Sequence, residues 1–163
     1  MALVSNPILP ACMGGVLLVA ALFAAAQTAE VAPPDPRLAR ESQSLKAVCA
    51  KCHNLQLVMD TPRSYDDWHD TVQQMVDRGA NGTDEQFDDI MDYLHRTMTT
   101  INVNTAAADE LAIVLNVPAT TAQAIIARRS TQKFTGLSDL KSVPGLDASK
   151  VDAKARLIFF NQH

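Results

Sequence analysis

The chain has 163 residues, a formal net charge of −4, 47% hydrophobic residues and only 5% aromatic ones. That length suits one domain or two small ones, with any core built mainly from aliphatic side chains and methionine, and the acidic balance does not suggest a nucleic-acid binder. The charge is uneven: residues 27–100 hold 7 Lys/Arg against 13 Asp/Glu, a balance of −6, while residues 101–163 hold 7 against 5, a balance of +2. Opposite signs in the two halves point to two modules.

The N-terminus reads as a targeting segment over residues 1–26. Its apolar run, Val16 to Ala26, has the length of a signal h-region and is too short to span a bilayer. Ala24, Ala25 and Ala26 supply the small residues ahead of a cleavage point, with cleavage after Ala29 as the runner-up, although no Lys or Arg precedes the run. Cys12 precedes the apolar run, whereas a lipobox cysteine follows it. The expectation is export to the periplasm, with no integral span after signal removal and a membrane anchor only if the signal stays uncleaved. Residues 27–39, which hold Pro33, Pro34 and Pro36, are expected to form an extended tether.

Export leaves two cysteines, Cys49 and Cys52, in "VCAKCHNLQ". A disulfide closing so small a loop would remove little chain entropy, so the pair needs another purpose. A closed zinc site needs four ligands, and beyond His53 only His69, His95 and His163 remain, none at close spacing. A thioredoxin-like dithiol expects a βαβ context, and no strand pattern surrounds residue 49. Covalent haem fits best. Two thiols three residues apart can each form a thioether to a porphyrin vinyl group, with the adjacent imidazole of His53 as proximal iron ligand; Cys-x-x-Cys-His is the c-type attachment signature, and such haem is attached outside the cytoplasm. One such motif implies one haem c.

Next, "SYDDWHDTVQQMVDRGA" places Trp68, Val72, Met75 and Val76 on one helical face, and Gly79 is placed to end the helix. "GTDEQFDDIMDYLHRTM" opens with a capping box, Thr83 to Gln86, and carries Phe87, Ile90, Met91, Leu94 and Met98 on one stripe. Met59, Met75, Met91, Met98, His69 and His95 compete as the second axial ligand, or the position stays open.

"CAKCH", a methionine shortly before a glycine, and a final helix ending in "DYLHR" together resemble a small class I cytochrome c over roughly residues 40–98; the Trp-x-x-x-Val-x-x-Met lead-in is similar to the haem domains of quinohaemoprotein-type dehydrogenases. The resemblance implies Met75 as distal ligand, with Trp68 and Tyr93 packing the haem. His/Met ligation raises the iron potential and leaves no open position, which suits single-electron transfer. No catalytic constellation stands out; a peroxidase would require an open distal position. The acidic helix faces would steer a basic redox partner.

After Thr100 the pattern becomes two helix-turn-helix units. Helices are expected near Ala107–Leu115, Thr121–Arg129, Leu137–Ser142 and Ala148–Phe159, with turns at "VPAT" and "VPGLD". "NVNTA" (Asn102 to Ala106), with Ile125, Arg129, Phe134, Leu140 and Gly145, resembles the tandem helix-hairpin-helix domain of competence-type periplasmic DNA receptors. In that family paired glycines expose backbone amides that hold a DNA phosphate. Here Asn116 and Pro118 stand at the first pair, and Asp147 follows Gly145 at the second. The fold is therefore expected without a strong DNA site, and DNA is the less favoured partner.

The sequence thus predicts an all-α protein: signal 1–26, tether 27–39, monohaem cytochrome c-like domain 40–99 and helix-hairpin-helix domain 100–163. The function expected is a periplasmic electron carrier whose second domain docks to a redox partner protein. The alternative is a periplasmic DNA- or protein-binding receptor in which haem is structural or a redox sensor.

Overall fold

The computed structural model describes residues 35–161, so the segment expected as a signal lies outside the described residues, as does most of the tether. The described chain is predominantly helical and belongs to one compact unit. The end of the expected tether is a correction. Helix α1 spans Pro36–Cys49, so residues 36–39 are helical rather than extended. Asp35 caps it, its carboxylate accepting the Arg37 N–H at 2.9 Å, and Pro36 sits in the first turn where its missing N–H is no loss.

Short α2 (Gln56–Asp60) leads to α3 (Tyr65–Asp77). Ser64 caps α3 by accepting the Asp67 N–H at 3.1 Å, and Gly79 ends it with φ of +100°, a conformation that glycine adopts without strain. The predicted capping box is present on α4 (Asp84–Met98): Thr83 accepts the Gln86 N–H at 3.2 Å, and Gln86 accepts the Thr83 N–H at 3.0 Å. Val76, predicted on the apolar face of α3, is instead exposed.

Helix α1 packs along α4, and charge locks the pair. Fully buried Glu41 receives Arg37 at 2.8 Å and Arg96 at 3.3 Å. Buried Asp89 accepts from Arg40 at 3.0 Å and from the Ser44 hydroxyl at 2.9 Å. The hydrogen bond from Arg40, then that from Ser44, holds the Asp89 carboxyl below its ordinary value. Its contribution to stability is therefore complete above the unfolded carboxyl value and is lost as pH falls through the lower folded one. Under this lock lies the first core: Leu45, Val48, Trp68, Ile90, Leu94 and Met98.

A second core begins at Ile101. Strand β1 (Ile101–Asn102) precedes α5 (Ala108–Leu115), α6 (Ala119–Thr131), α7 (Leu137–Leu140) and α8 (Ala148–Ala153). The helix expected to run from Ala148 to Phe159 stops at Ala153. A 3-10 turn, Ala155–Leu157, follows, and β2 (Ile158–Phe159) pairs in parallel with β1, Ile101 opposite Ile158. Both residues of β1 are buried, so their backbone groups need partners, and β-branched Ile158 followed by Phe159 suits a strand. Phe134, Leu140, Ile125 and Val151 fill this core, and Ile126 is half-buried against it. Among the described residues no single helix is long and apolar enough to cross a membrane.

Asn104 binds this second half together. Its amide donates to the carbonyls of Phe134 and Phe160, both at 2.8 Å, and its oxygen accepts the Phe134 N–H at 2.8 Å. Asn104→Ala strands all three groups in a buried place, and a loss of about 3 kcal/mol is expected from urea unfolding. Substitution of its exposed neighbour, Thr105→Ala, should leave the midpoint unchanged.

Candidate functional site

Cys49 is the last residue of α1, with Ala50 as its cap. Cys52 and His53 lie in the turn beyond, so the motif straddles a helix end rather than occupying one helical turn. Both thiols are free, Cys49 half-buried and Cys52 exposed. Burial, then the nearness of Cys52, pushes the Cys49 thiol above its ordinary value.

His53 is exposed, and its Nδ1 lies 3.1 Å from the Asn54 carbonyl. A carbonyl can only accept, so this contact is a hydrogen bond when Nδ1 carries the proton. That tautomer leaves Nε2 with a free lone pair for a metal, and the carbonyl partner favours one orientation of the ring.

Cys49 and His53 border an open cavity of about 100 Å³, bounded also by Leu45 of α1, Leu57 and Val58 of α2, Trp68, Val72 and Met75 of α3, and Ile90 and Leu94 of α4. An adjoining cavity of about 170 Å³ shares Cys49, His53 and Met75 and adds Cys52 and Arg78. Both are smaller than the ~300–1,000 Å³ typical of cofactor sites, and their walls are apolar as the walls of such sites are. Leu57 is 72% exposed at this rim although it lines an apolar hollow.

The structure separates the rival axial candidates. Met75 lines both cavities. Met98 is fully buried in the first core, and its sulfur accepts from Arg156 at 3.1 Å. Met91 and His69 line a different hollow, between α3 and α4. His95 packs at a tilt against Tyr65, ring centroids 4.5 Å apart, and burial lowers its basicity. Met59 packs on the first core and lines neither cavity. Of the predicted packing aromatics, Trp68 lines the cavity with its Nε1–H donated to the Met98 carbonyl at 3.1 Å, whereas Tyr93 does not line it. Arg63, not singled out in the sequence, also lines the wall, its guanidinium 5.6 Å from the Trp68 ring centre. Among the described residues no cluster of three or more His, Cys, Asp and Glu side chains is placed to hold a metal ion.

The second half carries two hairpins of matching geometry. Asn116 ends α5 with φ of +52°, and Gly145 takes φ of +81° at the equivalent place before α8. Asparagine thus supplies the left-handed turn expected of glycine, an exchange the sequence reading did not anticipate. Pro118 caps α6 without an N–H, and Asp147 caps α8 by accepting the Ser149 N–H at 2.8 Å. The third residue of each following helix crosses to the other hairpin: Thr121 donates to the Gly145 carbonyl at 3.4 Å, and Lys150 to the Asn116 carbonyl at 2.9 Å.

All seven basic side chains of residues 101–163 bond within the protein. Arg128 reaches Asp139, Arg129 the Val103 carbonyl, Lys133 the Asn104 carbonyl and Lys141 Asp152. Lys150 is committed to Asn116, and Lys154 and Arg156 cross to the Arg96 and Met59 carbonyls of the first half.

Residues 97–158 match the family described as Helix-hairpin-helix motif. The chain therefore carries a helix-hairpin-helix motif in its C-terminal half. No curated protein and no solved structure matches the chain.

Proposed function

We propose that the protein is an exported monohaem c-type cytochrome that passes single electrons, with its helix-hairpin-helix half serving to dock a redox partner protein. The observation that carries this reading is the convergence of Cys49, His53 and Met75 on one apolar cavity. The residues fit the group: Cys49 and Cys52 offer free thiols for two thioethers, the oriented His53 ring offers Nε2, and Met75 offers a thioether sulfur from α3. The bound haem would supply reversible one-electron chemistry at iron. Leu45, Val58, Ile90 and Leu94 would exclude water from it, which raises the potential further. Export is part of the proposal, since thioether attachment takes place outside the cytoplasm.

An electron carrier predicts a filled distal position. The oxidised protein should show a methionine-to-iron charge-transfer band that vanishes in Met75→Ala while pigment remains attached to the chain. Persistence of the band in that variant would overturn Met75 as ligand, and absence of the band from the unaltered protein would favour an open site.

The helix-hairpin-helix match supports a second reading, contact with DNA. Against it stand Pro118 and Asp147 at the two helix starts and the internal commitment of every basic side chain in that half. Non-specific DNA affinity comes from cations free to displace counterions. Gel shifts with duplex DNA at ~150 mM salt, about physiological ionic strength, should give no complex. Tight binding that weakens steeply with added salt would establish the receptor reading instead.

A further inference from the structure

Helix α2 follows His53 and forms part of the cavity wall through Leu57 and Val58, yet it has little to hold it. It is five residues long, none of them fully buried, and its side-chain bonds are local: Asn54 Oδ1 accepts the Gln56 N–H at 2.8 Å, and Gln56 Nε2 donates to Asp60 at 2.7 Å. A helix that short has no stability of its own. Inside it the bonds are local: the Val58 and Met59 N–H groups both donate to the Leu55 carbonyl, at 3.0 and 3.1 Å. Half-buried Val58 and Met59 rest on the first core.

A long-range restraint comes from the far end of the sequence. Arg156, in the 3-10 turn before β2, donates through Nη1 to the Met59 carbonyl at 3.0 Å and through Nη2 to the Met98 sulfur at 3.1 Å. Met59 lies in the last turn of α2, where carbonyls lack helical partners and a cation has the favourable sign. Two residues earlier, Lys154 donates to the Arg96 carbonyl in the last turn of α4. The same turn thus caps two helix ends of the first half. Met98 extends the reach, for its carbonyl accepts the Arg63 N–H at 3.2 Å and the Trp68 indole N–H at 3.1 Å, and both residues line the cavity.

We infer that Arg156 is a positioning residue, through which the helix-hairpin-helix half fixes the segment after His53 and so sets the shape of the cavity. Its consequence for an axial imidazole rests on the haem reading above; the placement of α2 does not.

The test uses the exported full-length chain as isolated, comparing Arg156→Ala, Arg156→Lys and Lys150→Ala by amide hydrogen exchange. Lys150 bonds within its own half and serves as the control. In Arg156→Ala, exchange at the Val58, Met59 and Thr61 amides should rise roughly tenfold, as expected for loss of a hydrogen bond to a charged donor, while α4 amides stay as protected as before. Arg156→Lys, which keeps the charge but not the two-pronged donor, should give a smaller rise at the same amides, and Lys150→Ala none. Unchanged exchange over 58–61, or a rise shared equally by α4, overturns the inference. If Arg156→Ala does not fold, the same criteria apply to Arg156→Lys alone. Where pigment is attached, Arg156→Ala should also shift the midpoint potential. A colourless chain with the local rise would defeat the haem reading and leave the role of Arg156 standing.

Discussion

The end of α4 is where the separate parts of this protein meet. The Met98 side chain is fully buried, and its carbonyl accepts one proton from the Trp68 ring and another from the Arg63 backbone. Its sulfur accepts from Arg156, almost sixty residues further on. A single helix terminus, whose last carbonyls have no helical partners, is thus completed by one wall of the cavity on one side and by the hairpin half on the other. The lock between α1 and α4 sets this terminus in place: Glu41 takes Arg37 and Arg96, while Asp89 takes Arg40 and Ser44. With α1 fixed along α4, Cys49 at the end of α1 is delivered to the rim of the hollow that α3 closes with Met75.

The hairpin half keeps the helix-hairpin-helix path while turning its polar chemistry inward. Left-handed turns at Asn116 and Gly145 preserve the chain path, and the reciprocal bonds from Thr121 and Lys150 tie each hairpin to the other's turn. Lys150 is then occupied by a carbonyl, and the start of α8 already has a carboxylate from Asp147. The other cations of this half likewise bond within the protein, Arg128 to Asp139 and Lys141 to Asp152 among them. Two of them, Lys154 and Arg156, close helices of the other half. The two halves have separate cores, yet they share these polar fastenings.

What the sequence made legible was local. The capping box at Thr83, the stop at Gly79 and the stripe of Ile90, Leu94 and Met98 all depend on residues within a turn or two, and they stand in the structure as read. The start of α1 was also written locally, in Asp35-Pro36, but a run of prolines drew the reading toward a tether. Strand β2 was hidden because Ile158 and Phe159 fit a helical stripe as well as a strand; only β1, more than fifty residues away, decides between them. Cys49 and His53 stand in a motif of known spacing and Met75 was singled out by a family resemblance, whereas Arg63, Asn104 and Arg156 act on distant backbone and carry no pattern that a window of sequence could reveal.

The central claim is that a porphyrin is bound through both thiols of one short motif, and the most direct measurement is the mass of the denatured chain, matured in a host able to attach c-type haem. The account predicts a chain heavier by one haem, whose colour stays with the polypeptide through acidified acetone and is absent when Cys49 and Cys52 are both changed to serine. A chain of unmodified mass, or pigment that passes into the solvent, would contradict it.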